Sequence, residues 1–314
     1  MKKLASVLKA RDSSRDRKRS FKENYANLVY MIPVLAGIFI FTFLPMGVSL
    51  YYSFIKMNLL DPSSDTTAFT LENYQNAFSG SGFKEMIHAY FVTFRFTIVV
   101  GGISFVGSYI VALLLNQKIR GMKTFRILYY TPCLIPAIAS SLLWNGLTKE
   151  TGYFNLILTK IGLEPYSFYS DNSTVFLTQL LLSGWGFSGG MIMWLAQFKN
   201  IPNDLYEDAK LAGAGYFSQL FHITIPLSTS MIFYNLIMSI IGNLQTFSSY
   251  AAYLEFNKPE DLKFVGLLIY ESAYKNYDIS YASALSWILF LVIGVLTFIV
   301  MKTSNKWVYY AEEN

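Results

Sequence analysis

The chain has 314 residues, of which 53% are hydrophobic and only 14% charged, and its mean hydropathy is +0.36. Soluble domains carry about 25% charged residues, so a soluble enzyme or binding module is excluded. The net charge of +5 would suit a nucleic-acid binder, but the basic residues flank long apolar runs and form no patch, so no nucleic-acid partner is expected.

Residues 1–24 read as a basic cytoplasmic tail that sets topology and touches anionic membrane lipid. They are too long and too polar for a cleavable signal. A membrane-spanning helix needs roughly 20 apolar residues. Six runs qualify: 28–55, 96–117, 127–148, 172–198, 223–254 and 279–301. The first contains Pro33 and Pro45, which predict a kink, and ends in Tyr51, Tyr52 and Phe54, suited to the outer interface. Arg95 opens the second and either snorkels outward or faces a pore. Pro132 and Pro136 predict a kink in the third, which also holds Cys133; a single cysteine excludes an intramolecular disulfide. Trp144 marks its outer belt.

The fourth run carries GWGFSGG at 184–190, a patch that suits either close helix packing or a thinned, ligand-lining stretch. In the fifth, Ser239, Asn243 and Thr246 stand at i, i+4 and i+7 and so share one helix face. A polar stripe in hydrocarbon is costly unless it meets partners. Two readings stand: a cavity for a neutral, polyhydroxylated ligand, or interhelical hydrogen bonds of about 1 kcal/mol each.

Charge placement orients the chain. Segments 1–27, 116–126, 199–226 and 302–314 together hold 17 of the 25 lysines and arginines, and the opposite loops hold 7. Both termini and the segment 202–226 are therefore expected in the cytoplasm. That segment, PNDLYEDAKLAGAGYFSQLFHITIP, is the one long amphipathic stretch between two apolar runs. Asn203 and Asp204 are placed at the N-cap of a short helix. Leu205, Ala209 and Ala212 give its apolar face, and Gly213 and Gly215 are expected to stop it. A second short helix follows, and Pro226 starts the next apolar run.

Glu207, Ala209, Gly213, Ile223 and Pro226 match the pattern E-x-A-x3-G-x9-I-x-[LI]-P. This resembles the EAA loop of permease subunits from binding-protein-dependent ABC importers, and IPNDLYEDAKLAGAG looks most like the maltose-type sugar branch. Asp208 and Ala212 depart from the usual alanine and aspartate. Further likenesses run through the chain: Leu71-Glu72-Asn73-Tyr74, ALLLN at 112–116 with Arg120-Gly121 and Phe125-Arg126, Gly152 with Asn155, and YASALS at 281–286.

The resemblance implies an all-α membrane protein with six transmembrane helices in the type-1 ABC importer permease fold, both termini cytoplasmic. Residues 25–303 would form that domain and 304–314 a cytoplasmic stub. The five matched residues would couple to the ATPase, with Glu207 anchoring the docked helix. Trp185, Gly186 and Phe187 would contact a sugar, and the Ser239, Asn243 and Thr246 face would line its pathway. Partners implied are a second homologous permease in a heterodimer, two cytoplasmic ABC ATPases and an extracellular solute-binding protein.

No G-x4-G-K-[ST], H-E-x-x-H, C-x-x-C or G-x-S-x-G occurs, and His88 and His222 stand far apart. No catalytic residue, metal or cofactor is therefore expected in this chain; ATP and Mg would be held by the partner ATPase. The expected function is ATP-driven import of a neutral sugar or oligosaccharide by alternating access. The alternatives are import of a polyol or amino acid, or a membrane sensor or enzyme. An amino acid would call for a charge in the fourth or fifth run, and neither has one.

Overall fold

The computed structural model describes residues 30–57, 68–117, 119–168, 172–185, 188–247 and 262–309. The basic tail 1–24, Gly186 and Phe187 lie outside the described residues, as do 248–254 of the fifth apolar run. The described residues are almost wholly helical.

Three helices are long and apolar enough to cross a membrane: α1 (Tyr30–Ser53), α3 (Gly80–Leu115) and α13 (Ile279–Ser304). Between the first two lies the short α2 (Glu72–Ala77). Then come α4 (Met122–Leu134), α5 (Ala137–Thr148), α6 (Tyr153–Lys160), α7 (Asn172–Trp185) and α8 (Ser188–Asn200). The order closes with α9 (Asn203–Leu211), α10 (Tyr216–Leu227), α11 (Thr229–Leu244) and α12 over 265–275 before α13.

Two expected spans are sharply bent. Between α4 and the following helices the axis turns by 98°. Ile135 is extended, with ψ 126°, because the ring of Pro136 disfavours helical backbone in the residue before it. The expected kink is therefore a break. Between α10 and α11 the axis turns by 67° at Ser228, whose hydroxyl donates to Thr224 O at 2.7 Å. The second apolar run, read as 96–117, is the C-terminal part of a helix that begins at Gly80. Its N-terminal turns carry Lys84, Glu85 and His88, but Met86, Ala89, Val92, Thr93 and Phe96 recur at helical spacing and are buried.

Several of the short sequence signatures turn out to be helix ends. Helix termini leave backbone groups unpaired, and in hydrocarbon each must be met from within. Asn73 donates to the carbonyls of Ser53 at 3.0 Å and Ile55 at 2.8 Å, closing the end of α1, while the Tyr74 hydroxyl donates to Ser53 Oγ at 2.9 Å. Arg126 does the same for α3, its Nε and Nη2 donating to Leu115 O at 3.0 and 2.6 Å. Asn155 of α6 bridges Lys149 before the helix to Tyr166 after it, and Asp278 caps α13 by accepting from Tyr281 N at 2.9 Å.

The core gathers α3 against α8, α11, α12 and α13 through three apolar clusters. Small residues allow close approach: Ala112 on α3 and Ala284 on α13 are wholly buried. Trp194 of α8 is also fully buried, edge-on to Phe105 and Tyr109 of α3. By contrast, most of α1 is exposed and it packs mainly along α13. Arg95 sits with its guanidinium 4.4 Å from the ring centre of Phe176 on α7, a cation–π arrangement.

Candidate functional site

Two arrangements stand out, and hydrogen bonds join the first to helices that wall the second. The first is the amphipathic segment. Here α9 starts at Asn203 with Pro202 in the capping position and no side-chain cap, so Asn203 lies one place inside its expected role. Pro202 takes the extended ψ of 133° that the N-cap demands, and Asp204 still faces the positive end of the helix dipole.

The helix ends in a Schellman turn. Gly213 takes φ +82°, its N–H donates to Lys210 O at 2.9 Å, and Ala214 N donates to Ala209 O at 2.8 Å. Gly215 has φ −72° and instead begins α10. Within α10, a wide π-helical turn over Leu220–Thr224 precedes Pro226, whose ring cannot be accommodated against a regular turn.

The segment is tied into one body. Tyr206 of α9 and Thr224 of α10 share a hydrogen bond of 3.0 Å, and Gln219 Nε2 donates to Ala214 O at 2.8 Å. It is tied to the spans as well. Gln197 of α8 donates to Leu227 O at 2.8 Å, and the Tyr109 hydroxyl of α3 meets Ser228 Oγ at 3.1 Å. Beside exposed charged residues it presents large apolar side chains: Leu211 is 88% exposed and Phe217 71% exposed, with Tyr216 and Phe221 also open. Of the five matched residues, Glu207 and Gly213 are exposed, and Ala209, Ile223 and Pro226 are half-buried. Ala209 and Gly213 meet in the Schellman turn; Ile223 and Pro226 belong to α10.

The second arrangement is a half-open cavity of about 280 Å³ walled by α3, α8 and α11. Its polar lining comes from Ser104, Ser108, Trp194, Tyr234, Asn235 and Ser239, and among the described residues no charged side chain lines it. Trp194 Nε1 donates to Ser108 Oγ at 3.1 Å. Gly190 keeps this corner open, since a Cβ there would stand 3.2 Å from Ser108 Oγ and 3.3 Å from Trp194 Nε1.

Ser239 lines the cavity, whereas Asn243 sits one turn further, over Gly101 of α3, where a Cβ would come within 2.7 Å of its Nδ2. Asn243 Nδ2 donates to Ser239 O at 2.8 Å and to Ser239 Oγ at 3.0 Å. Thr246 lies beyond the end of α11, its hydroxyl donating to Gly242 O at 3.2 Å. Trp185 ends α7. The sequence reading placed none of Ser104, Ser108, Trp194, Tyr234 and Asn235 at a site. The signal was present: Ser104 with Ser108, Gly190 with Trp194, and Asn235 with Ser239 are all i, i+4 pairs, each on one helix face.

Because Asn243 holds the Ser239 hydroxyl, Asn243→Leu should act through Ser239. Loss of one such hydrogen bond, about 1 kcal/mol, predicts a roughly fivefold rise in the KM of uptake with assembly intact. Unchanged uptake kinetics in proteoliposomes would leave Asn243 as a helix-packing residue.

Residues 104–308 match the family described as binding-protein-dependent transport system inner membrane component. The chain is 31% identical over 296 residues to the probable ABC transporter permease protein YesP of Bacillus subtilis (strain 168), covering 92% of this chain and 93% of that one. It is 26% identical over 298 residues to the multiple sugar-binding transport system permease protein MsmF of Streptococcus mutans serotype c (strain ATCC 700610 / UA159), covering 92% and 98%. The fold is similar, with a TM-score of 0.73 at 18% identity over 91% of this chain and 96% of the other, to a chain from the crystal structure of a bacterial alginate ABC transporter in complex with an alginate pentasaccharide-bound periplasmic protein.

Proposed function

Since the chain belongs to the family of binding-protein-dependent transport system inner membrane components, we propose that it is the permease subunit of an ATP-driven ABC importer carrying a neutral sugar or oligosaccharide. It crosses the plasma membrane six times in the type-1 arrangement, with both termini and the segment 202–226 in the cytoplasm. It pairs with a second, homologous permease, two cytoplasmic ATPases that hold ATP and Mg, and an extracellular solute-binding protein.

The observation that carries this reading is the uncharged cavity. Hydroxyls and an amide offer mixed donors and acceptors, Tyr234 adds exposed ring surface, and the buried Trp194 backs the wall with its indole N–H on Ser108. A neutral polyol ring presents the matching pattern, hydroxyls at its rim and apolar faces. A zwitterionic or anionic solute would leave its charge unmet there. The name of MsmF and the alginate complex support a carbohydrate, and the bound periplasmic protein of that complex supports an extracellular delivery partner.

In the proposed mechanism, ATP binding closes the ATPases around the exposed side chains of α9 and α10. Glu207 anchors α9 as an anion in reach of a basic partner residue. The segment moves as one piece because Tyr206–Thr224 and Gln219–Ala214 hold it together. Its two ends continue into α8 and α11, and Tyr109 links it to α3. These three helices wall the cavity, so displacing the segment re-aims the walls and alternates access. The chain performs no covalent chemistry.

The test is composition. The tagged chain, extracted gently from its native membrane, should bring down a second permease and a P-loop ATPase in comparable amounts, as read by mass spectrometry. Recovery of the chain alone, under conditions that preserve other ABC complexes, would defeat the reading.

A further inference from the structure

A larger groove, about 540 Å³, lies apart from the cavity, between α4 and α8. Its floor and sides are apolar, with Ile127 from α4 and Met191, Ile192 and Leu195 from α8. Arg126 and Lys199 line it together with Asn200, and no carboxylate does. Among the described residues neither cation meets an acid: Arg126 spends Nε and Nη2 on Leu115 O, which leaves Nη1, and Lys199 is exposed.

The polarity of the groove runs along its length. On α8 the lining residues 191, 192, 195, 196, 199 and 200 follow helical spacing, apolar first and polar last. From Met191 to Lys199 the helix rises by ~12 Å at 1.5 Å per residue. On α4, Arg126 begins the lining stretch and Ile127 and Tyr130 follow. In the proposed topology α4 leaves one cytoplasmic loop, around 116–121, and α8 runs towards another, the segment 202–226. Arg126 and Lys199 therefore gather at one end, the inner boundary of the membrane, and the apolar wall extends from them into the hydrocarbon. Arg120 and Lys123 add positive charge just before this end.

We propose that this groove is a binding site for one anionic phospholipid of the cytoplasmic leaflet, its phosphate between Arg126 and Lys199 and an acyl chain along Ile127, Ile192 and Leu195. Charge complementarity selects the head group and the apolar wall selects a chain. A soluble phosphate would use only the first, and a neutral lipid only the second. The leaflet follows from the proposed orientation; the preference for an anionic lipid does not depend on it or on the solute carried.

The test uses the assembled transporter in detergent, stripped of native lipid and titrated with dioleoylphosphatidylglycerol or dioleoylphosphatidylcholine. Lipid bound to the permease is read by native mass spectrometry. Preferential retention of phosphatidylglycerol is expected, and Lys199→Gln should weaken it about fivefold, the scale of one basic residue against an anionic head group. Ile192→Trp, which narrows the groove without changing charge, should weaken retention of both lipids. Arg126 is left intact because it also closes α3. Equal retention of the two lipids, or a preference untouched by both variants, would overturn the site. So would full displacement by glycerol 3-phosphate at matched ionic strength, which would mean that phosphate alone is read. A photoreactive residue at position 192 should label lipid; labelling of the second permease instead would make the groove a subunit interface and end the proposal.

Discussion

Gly213→Val should leave an assembled complex that hydrolyses ATP but takes up solute at least about tenfold more slowly, the scale of a barrier raised by ~1.4 kcal/mol. The reason is conformational, not steric, since a Cβ at Gly213 would meet nothing within 4 Å. The left-handed φ of +82° costs an ordinary residue about 1–2 kcal/mol, and a β-branched one more. Valine would relax that turn. The carbonyls of Ala209 and Lys210 would then lose their partners, and α9 would swing relative to α10, straining the Tyr206–Thr224 bond. Gly213→Asn is the control, because asparagine tolerates this conformation and should keep most of the uptake. Uptake and ATP hydrolysis measured side by side in proteoliposomes decide the matter. A valine variant with normal transport would show that this turn does not transmit the stroke.

Ser239→Phe should nearly abolish uptake by a different route. The side chain would enter a cavity of about 280 Å³ already walled by Trp194 and Tyr234, leaving little room for a ring-sized solute. Assembly and basal ATP hydrolysis should persist, because the docking segment lies two turns or more away in the chain. Ser239→Ala removes only one hydrogen bond and should cost a few-fold at most. The contrast between the two separates blockage from lost recognition. Normal uptake by the phenylalanine variant would mean that solute does not pass between α3, α8 and α11.

The sequence carried the apolar runs well, since length and hydrophobicity suffice for α1, α3 and α13. It also carried the turn at Gly213, where only glycine sits easily. What it carried poorly were rotations and interruptions. Spacing of four residues advances a helix by ~400°, so Asn243 stands ~40° round from Ser239. That offset, and the space left by Gly101, turn it from the cavity towards α3. The break before α5 was foreshadowed by Pro136, but proline alone does not say whether a helix bends or stops. The N-terminal turns of α3 were hidden because their charged residues read as loop, although their buried residues keep helical period. The i, i+4 pairs at Ser104 and Ser108 and at Gly190 and Trp194 give one face of each helix, but only the converging helices show that these faces meet.

The continuity of the docking segment with α8 and α11 has a thermodynamic corollary. In the proposed function, the surface offered to the ATPase and the walls offered to the solute are joined by the Gln197–Leu227 and Tyr109–Ser228 hydrogen bonds. If closing the ATPases on nucleotide changes the affinity of the cavity for its solute by some factor, occupancy of the cavity must change the affinity for nucleotide by the same factor. The transporter should therefore report its cargo to its engine, and solute delivered to the cavity should be visible as a shift in nucleotide binding on the far side of the membrane.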